Sequence, residues 1–195
     1  MRTYIRDNCI NAALIGLNLL YFVWLCFHGN PETDVEMMVR QGALYAPLVL
    51  EGQYYRLLTA AFMHFGIRHL SNNMLLLFAA GDRMETALGH VKYLVFYLLS
   101  ALLASGISLR WHLMTGNEGV VMAGASGAVF AVTGGLLWVL FRNGGSLQGL
   151  SSGRLAAIVL LNIYLGASRG GVDNAAHLGG LLSGLVLAAL LYRKR

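Results

Sequence analysis

The chain has 195 residues, 57% hydrophobic and only 12% charged, with a mean hydropathy of +0.61. A soluble domain carries about 25% charged residues, so the composition excludes an ordinary soluble globule and points to an integral membrane protein. The net charge is +5, but no basic run or aromatic platform accompanies it, so no nucleic acid is expected as a partner and the basic residues read as topology signals.

A membrane-crossing helix needs roughly 20 residues, and the length has room for about six. The expected fold is therefore all-α: a polytopic membrane protein forming one domain over 1–195, a bundle of six transmembrane helices. The first span runs over 9–27. An interfacial loop follows over 28–67, too rich in charge to cross lipid (Glu32, Asp34, Glu36, Arg40, Glu51 and Arg56). It carries enough apolar residues to fold as short helices against the membrane surface, with Pro47 breaking any continuous helix. Further spans are expected over 68–84, 91–109, 120–141, 155–167 and 174–192. Gly-rich and Ser-rich links at 143–146 and 151–153, and the loop at 169–171, separate the last three.

Six spans place nine basic residues on the side of both termini (Arg2, Arg6, Arg83, Lys92, Arg142, Arg154, Arg193, Lys194 and Arg195). Five fall on the other side (Arg40, Arg56, Arg68, Arg110 and Arg169). The excess sets both termini in the cytoplasm. The N-terminus lacks the small-residue cleavage site of a signal peptide. Cys9 and Cys26 lie at the two ends of one helix, about 25 Å apart, beyond disulfide reach. Neither has metal-ligand spacing, so they receive no role. No cofactor motif and no metal set stand out.

This topology gathers polar residues at one depth near the outer face: Ser126, His177, and the pair His69 and Asn73. Ionisable or polar side chains at membrane depth are costly and ask for a reason. Ser126 taken alone reads more often as helix packing, bonding back to a carbonyl one turn earlier. His177 is harder to dismiss, because a neutral imidazole can take a hydroxyl proton and return it to a leaving amine. Gly180 and Gly184 follow it at helical spacing and make a small-residue strip for close packing. His69 and Asn73 share a helix face at i,i+4. Their donors, with the Ser126 backbone N–H, suit an oxyanion. Phe130 lies one turn from Ser126, where its ring could stack on His177, and core filling is an equal reading. His64 sits where the loop enters the bundle, with a supporting role in bonding loop backbone. Asp173 lies one turn before His177 but at a loop end, so a dyad is more economical than a triad. A polar cavity lined by His69, Asn73 and His177 is expected above Ser126.

The set resembles the rhomboid family of intramembrane serine proteases. The pieces that carry the resemblance are Gly124-Ala125-Ser126-Gly127, Ala176-His177-x-x-Gly180 and His64, with His69 four residues before Asn73. To these are added Tyr55-Arg56 in the first loop and Glu85-Thr86-Ala87-Leu88-Gly89 after span two. The resemblance implies a serine endopeptidase with Ser126 as nucleophile and His177 as general base. It implies an oxyanion hole of His69, Asn73 and the Ser126 backbone, with Gly124 in the substrate-binding floor. It further implies a loop 28–67 that braces the bundle, a lid over 169–173, and single-pass membrane proteins as substrates. Two positions depart from the family pattern: Tyr55 stands where Trp is usual, and Phe130 where Tyr is frequent. No sizeable cytosolic domain is expected before span one. The basic C-terminal tail fits a prokaryotic inner membrane, and the oligomeric state stays open. Competing readings are a non-catalytic binder of the same architecture, disfavoured by the presence of both Ser126 and His177, and a small transporter. The inner half of each span is too apolar for an ion path.

Overall fold

The computed structural model describes residues 8–147, 149–168 and 171–194. Arg2, Arg6 and Arg195 of the basic count, and Arg169 and Gly170 of the expected lid, lie outside the described residues. The protein is an all-α, largely membrane-embedded bundle, with two ladders of two residues per strand at its edges.

Among the described residues, three helices are long and apolar enough to cross a bilayer: α1 (Cys9–His28), α7 (His90–Met114) and α10 (Asn174–Leu191). Two shorter apolar helices complete the bundle, α8 (Ser126–Arg142) and α9 (Ser152–Ala167). Side chains such as Phe27 and Leu190 face outward, 84% and 73% exposed, as lipid-facing residues do. The core holds Leu77, Met84, Tyr93, Phe96, Tyr97 and Leu136. Most of α8 is buried, because the other helices surround it.

The second apolar segment is one column in three parts: α5 (Gly66–Leu76), a π-helical turn (Leu77–Gly81) and α6 (Asp82–Leu88). A π turn forms where a donor from outside takes a helix carbonyl. Here Asn11 of α1 donates its amide to the Leu77 carbonyl at 3.0 Å and to Asp82 Oδ1 at 2.7 Å. Tyr93 in turn donates its hydroxyl to Asn11 Oδ1 at 2.8 Å. Gly81 makes room for this network, since a Cβ there would sit 2.6 Å from the Tyr93 oxygen. Beside it the buried Glu85 carboxylate accepts the backbone N–H groups of Ile10 at 3.0 Å and Asn11 at 2.7 Å. It thus satisfies the open N-terminus of α1, whose first amides have no partner within the helix.

The interfacial loop is built of α2 (Val35–Arg40), β1 (Leu44–Tyr45), α3 (Ala46–Leu50), α4 (Arg56–Thr59) and a 3-10 turn (Ala60–Phe62). Pro47 lies in the first turn of α3, where its missing N–H costs nothing, so it opens a short helix. Met37, Met38, Ala43 and Met63 form a small core against Leu25. Arg56 is 3% exposed and donates Nη1 to the carbonyls of Val39 (2.7 Å) and Ala43 (2.8 Å). Its Nε donates to Gln53 at 2.9 Å. A buried guanidinium satisfied this way ties the loop's two halves together.

One boundary differs from expectation in a way that bears on the site. The fourth apolar segment is helical from Ser126, not from Val120. Val121–Met122 instead forms β2, antiparallel to β1, with Leu44 opposite Met122 and Tyr45 opposite Val121. Apolar composition alone does not distinguish a strand that the loop captures from the first turn of a helix.

Candidate active site

Ser126 is the first residue of α8 and is partly exposed. Three loop contacts hold the segment that leads into it. β1 pairs with β2, Gly124 N–H donates to the Ala60 carbonyl at 2.9 Å, and Ala125 N–H reaches His64 Nε2 at 3.4 Å. A residue that leaves a captured strand and enters a helix within five positions has its hydroxyl direction set by both elements.

His64 is fully buried. Burial first, and the neighbouring His69 second, push its imidazole down to about 3, so it stays neutral and its Nε2 remains an acceptor. The His69 ring meets it edge to face, 5.1 Å between centroids. Gly124 lies beside both His69 and Ser126. A Cβ at Gly124 would lie 2.6 Å from His69 Cε1, 2.9 Å from His69 Nε2 and 3.6 Å from Ser126 Oγ. Any side chain there would displace the imidazole, and the backbone φ of +153° also favours glycine.

His177 is carried by α10, and its depth is set by close helix packing. A Cβ on Gly180 would strike the Gly127 carbonyl, and one on Gly184 the Ala131 carbonyl. On the facing helix, a Cβ on Gly134 would strike the Leu181 carbonyl. The backbones of α8 and α10 therefore touch along two turns, as small residues allow in membrane bundles. Phe130, one turn below Ser126, stacks on the His177 ring at 4.2 Å and 10°. His177 Nδ1 is buried without a hydrogen-bond partner among the described residues.

Asp173 is engaged elsewhere. It caps α10 by accepting Ala176 N–H at 2.9 Å, and it accepts the Ser108 hydroxyl. Its carboxylate is not hydrogen-bonded to His177. Asn73 is buried and donates to the His69 carbonyl at 3.0 Å, within its own helix. Its second amide proton is not engaged in that bond.

The structure thus brings His64, His69, Gly124 and Ser126 into one contact chain, and Phe130 and His177 into another across the α8–α10 seam. No hydrogen bond joins Ser126 to His177 among the described residues. The cavity beside Ser126 differs from the expected one. It measures about 40 Å³ and is lined by Gly124, Ser126, Gly127, Ser105, Ser108 and Asp173, not by His69, Asn73 or His177. It opens toward α7, whose Ser105 and Ser108 line it. It has room for a water. Sequence reading passed over Ser105 and Ser108. Serines in an apolar helix carry no signal until a partner such as Asp173 is seen to meet them.

The Rhomboid domain family matches residues 51–194. Over 177 residues the chain is 33% identical to the Rhomboid protease GluP of Bacillus subtilis, covering 91% of this chain and 34% of that protein. It is 37% identical over 157 residues to RHOMBOID-like protein 4 of Arabidopsis thaliana, covering 77% of this chain and 37% of that protein. It is 29% identical over 187 residues to Rhomboid-like protease 3 of Toxoplasma gondii, covering 93% and 68%. The chain spans about a third of the length of the first of these relatives. With the domain match running from the interfacial loop through the last helix, this chain belongs to the rhomboid family.

Proposed function

We propose that this protein is an intramembrane serine endopeptidase that hydrolyses peptide bonds in or near the transmembrane segments of single-pass membrane proteins. The observation that carries the reading is the placement of His69 Nε2 and Ser126 Oγ beside one position, 2.9 and 3.6 Å from where a Gly124 Cβ would lie, with His177 stacked on Phe130 one turn deeper. Family membership supports it, as do the relatives named as proteases.

In this reading Ser126 Oγ attacks the scissile carbonyl carbon and His177 Nε2 takes its proton, while Nδ1 keeps the ring hydrogen. The carbonyl oxygen becomes an oxyanion that accepts hydrogen bonds from His69, Asn73 and the Ser126 backbone N–H. Collapse breaks the C–N bond, and the proton on His177 passes to the leaving amine. Water then attacks the acyl-serine ester with His177 as base, releasing the acid and restoring Ser126. Phe130 positions the imidazole, Gly124 leaves space for the peptide, and His64 holds the strand into Ser126. Among the described residues no hydrogen bond joins Ser126 to His177, and catalytic contacts of this kind tighten when substrate binds. No metal or cofactor enters the steps.

The architecture that goes with this activity is one domain over 1–195 with six spans. α5 through α6 and the shorter α8 and α9 cross beside the three long helices. Both termini lie in the cytoplasm, the site opens to the outer face, and the host membrane is a prokaryotic inner membrane. The test is cleavage of a single-pass substrate by the purified protein in detergent and in lipid, against Ser126→Ala and His177→Ala. Cleavage lost in both variants supports the dyad, and cleavage that persists in either one refutes it.

A further inference from the structure

At the far end of the bundle three side chains of metal-ligating type converge. Cys9 opens α1, Glu85 lies on α6, and His90 opens α7. Cys9 Sγ is 3.7 Å from His90 Nδ1, and His90 Nδ1 is 2.5 Å from Glu85 Oε1. One ligand atom from each lies within 4.8 Å of the others. His90 and Ser108 are on one helix, about 27 Å apart at 1.5 Å per residue, so this cluster is remote from Ser126.

We propose that Cys9, Glu85 and His90 form a binding site for a zinc-type divalent ion. A thiolate, an imidazole and a carboxylate are the ligand types that zinc takes. Tetrahedral zinc with ordinary bond lengths separates sulfur from nitrogen by about 3.6 Å, close to the distance found. The same geometry separates nitrogen from carboxylate oxygen by about 3.4 Å, so the ion parts the His90–Glu85 hydrogen bond by about 1 Å. His90 can give way, since its side chain is 49% exposed, whereas Glu85 is fully enclosed. The carboxylate is also anchored by two backbone N–H groups, the outer support that orients a metal ligand. Cys9 gives up its thiol proton, His90 binds through Nδ1 with its hydrogen on Nε2, and water fills the fourth position. The ion ties the first residue of α1 to the α6–α7 junction and stabilises that end of the bundle. The ligands lie 76 and 5 residues apart in the chain, so no spacing motif announces them.

The full chain, purified in detergent and freed of metal by a chelator, is titrated with cobalt(II) alone while the thiolate-to-cobalt charge-transfer absorbance is read. Zinc is then added to displace the cobalt, and the melting temperature is followed with zinc. The expected result is one equivalent of cobalt, a charge-transfer band that zinc removes, and a melting temperature that zinc raises. Cys9→Ser abolishes the band, and His90→Gln weakens binding at least about tenfold. Cys26→Ser and Ser126→Ala leave the titration unchanged. Absence of the band in the unaltered protein overturns the site without reference to any variant. Persistence of the band in Cys9→Ser, its loss in Cys26→Ser, or unchanged affinity in His90→Gln also overturns it. None of these readouts depends on proteolysis.

Discussion

Two polar clusters at opposite ends of the bundle differ in how far their buried groups are satisfied. At the Cys9 end, Asn11, Tyr93 and Glu85 are all buried and all engaged. At the Ser126 end, His177 keeps a buried nitrogen without a partner among the described residues, and no hydrogen bond joins it to Ser126 there. A saturated network in an apolar setting rigidifies what it joins. An unsaturated one costs stability and leaves groups ready to bond something else. The contrast separates polar residues that hold a membrane fold together from those proposed to act on a substrate.

The largest expected effect breaks the contrast at the Ser126 end. Ser126→Ala and His177→Ala should each lower the cleavage rate by about a thousandfold or more, while the melting temperature changes little. A large loss of stability in either would place these residues with the structural set. The reverse is expected of Glu85→Ala. It leaves two amides of α1 without an acceptor and should cost about 2–4 kcal/mol, read from denaturation in detergent, with activity falling only as folded protein is lost.

Gly180→Ala tests the seam between the two readings. Its methyl would meet the Gly127 carbonyl, and overpacking of this kind costs about 1–3 kcal/mol. Because the displaced helix carries His177, cleavage should fall further than stability alone explains. Equal losses would mean that the seam is only structural.

The last effect is a slope. The His64 imidazole is pushed down to about 3 in the folded protein by burial and by His69, against an ordinary value near 6.5. Between those two values the unfolded chain binds the proton and the folded one does not, so stability falls as pH falls. The contribution is at most about 1.4 kcal/mol per pH unit, absent above the unfolded value and levelling below about 3. Unfolding measured from pH 7 to pH 4 should show a shallower slope in His64→Gln than in the unaltered protein. Identical slopes would remove His64 from the acid-sensitive groups.

Much of this was legible in the chain. Long apolar runs identify α1, α7 and α10, because lipid demands such runs. The glycines after His177 foretell the close approach of α8 and α10, because only small residues permit it. The strand at Val121–Met122 was not legible, because its partner lies over seventy residues earlier in the loop. The satisfaction of Arg56 was also hidden, since an arginine in a charged loop reads as solvated until carbonyls are found around it.

Residue chemistry and spacing by themselves determined that this chain belongs in a membrane, and they set the expectation that Ser126, His177, His69 and Asn73 share a depth. Those properties are local and follow from helical period and hydropathy. Only the tertiary structure decided which polar atoms are spoken for. Glu85 and Asp173 both read as acids near loop ends, yet one closes α1 and the other caps α10. The His69 imidazole packs against Gly124 only because that residue lacks a side chain. Hydrogen bonds and close contacts are settled over a few ångströms between segments far apart in the chain, and no pattern along one segment encodes them.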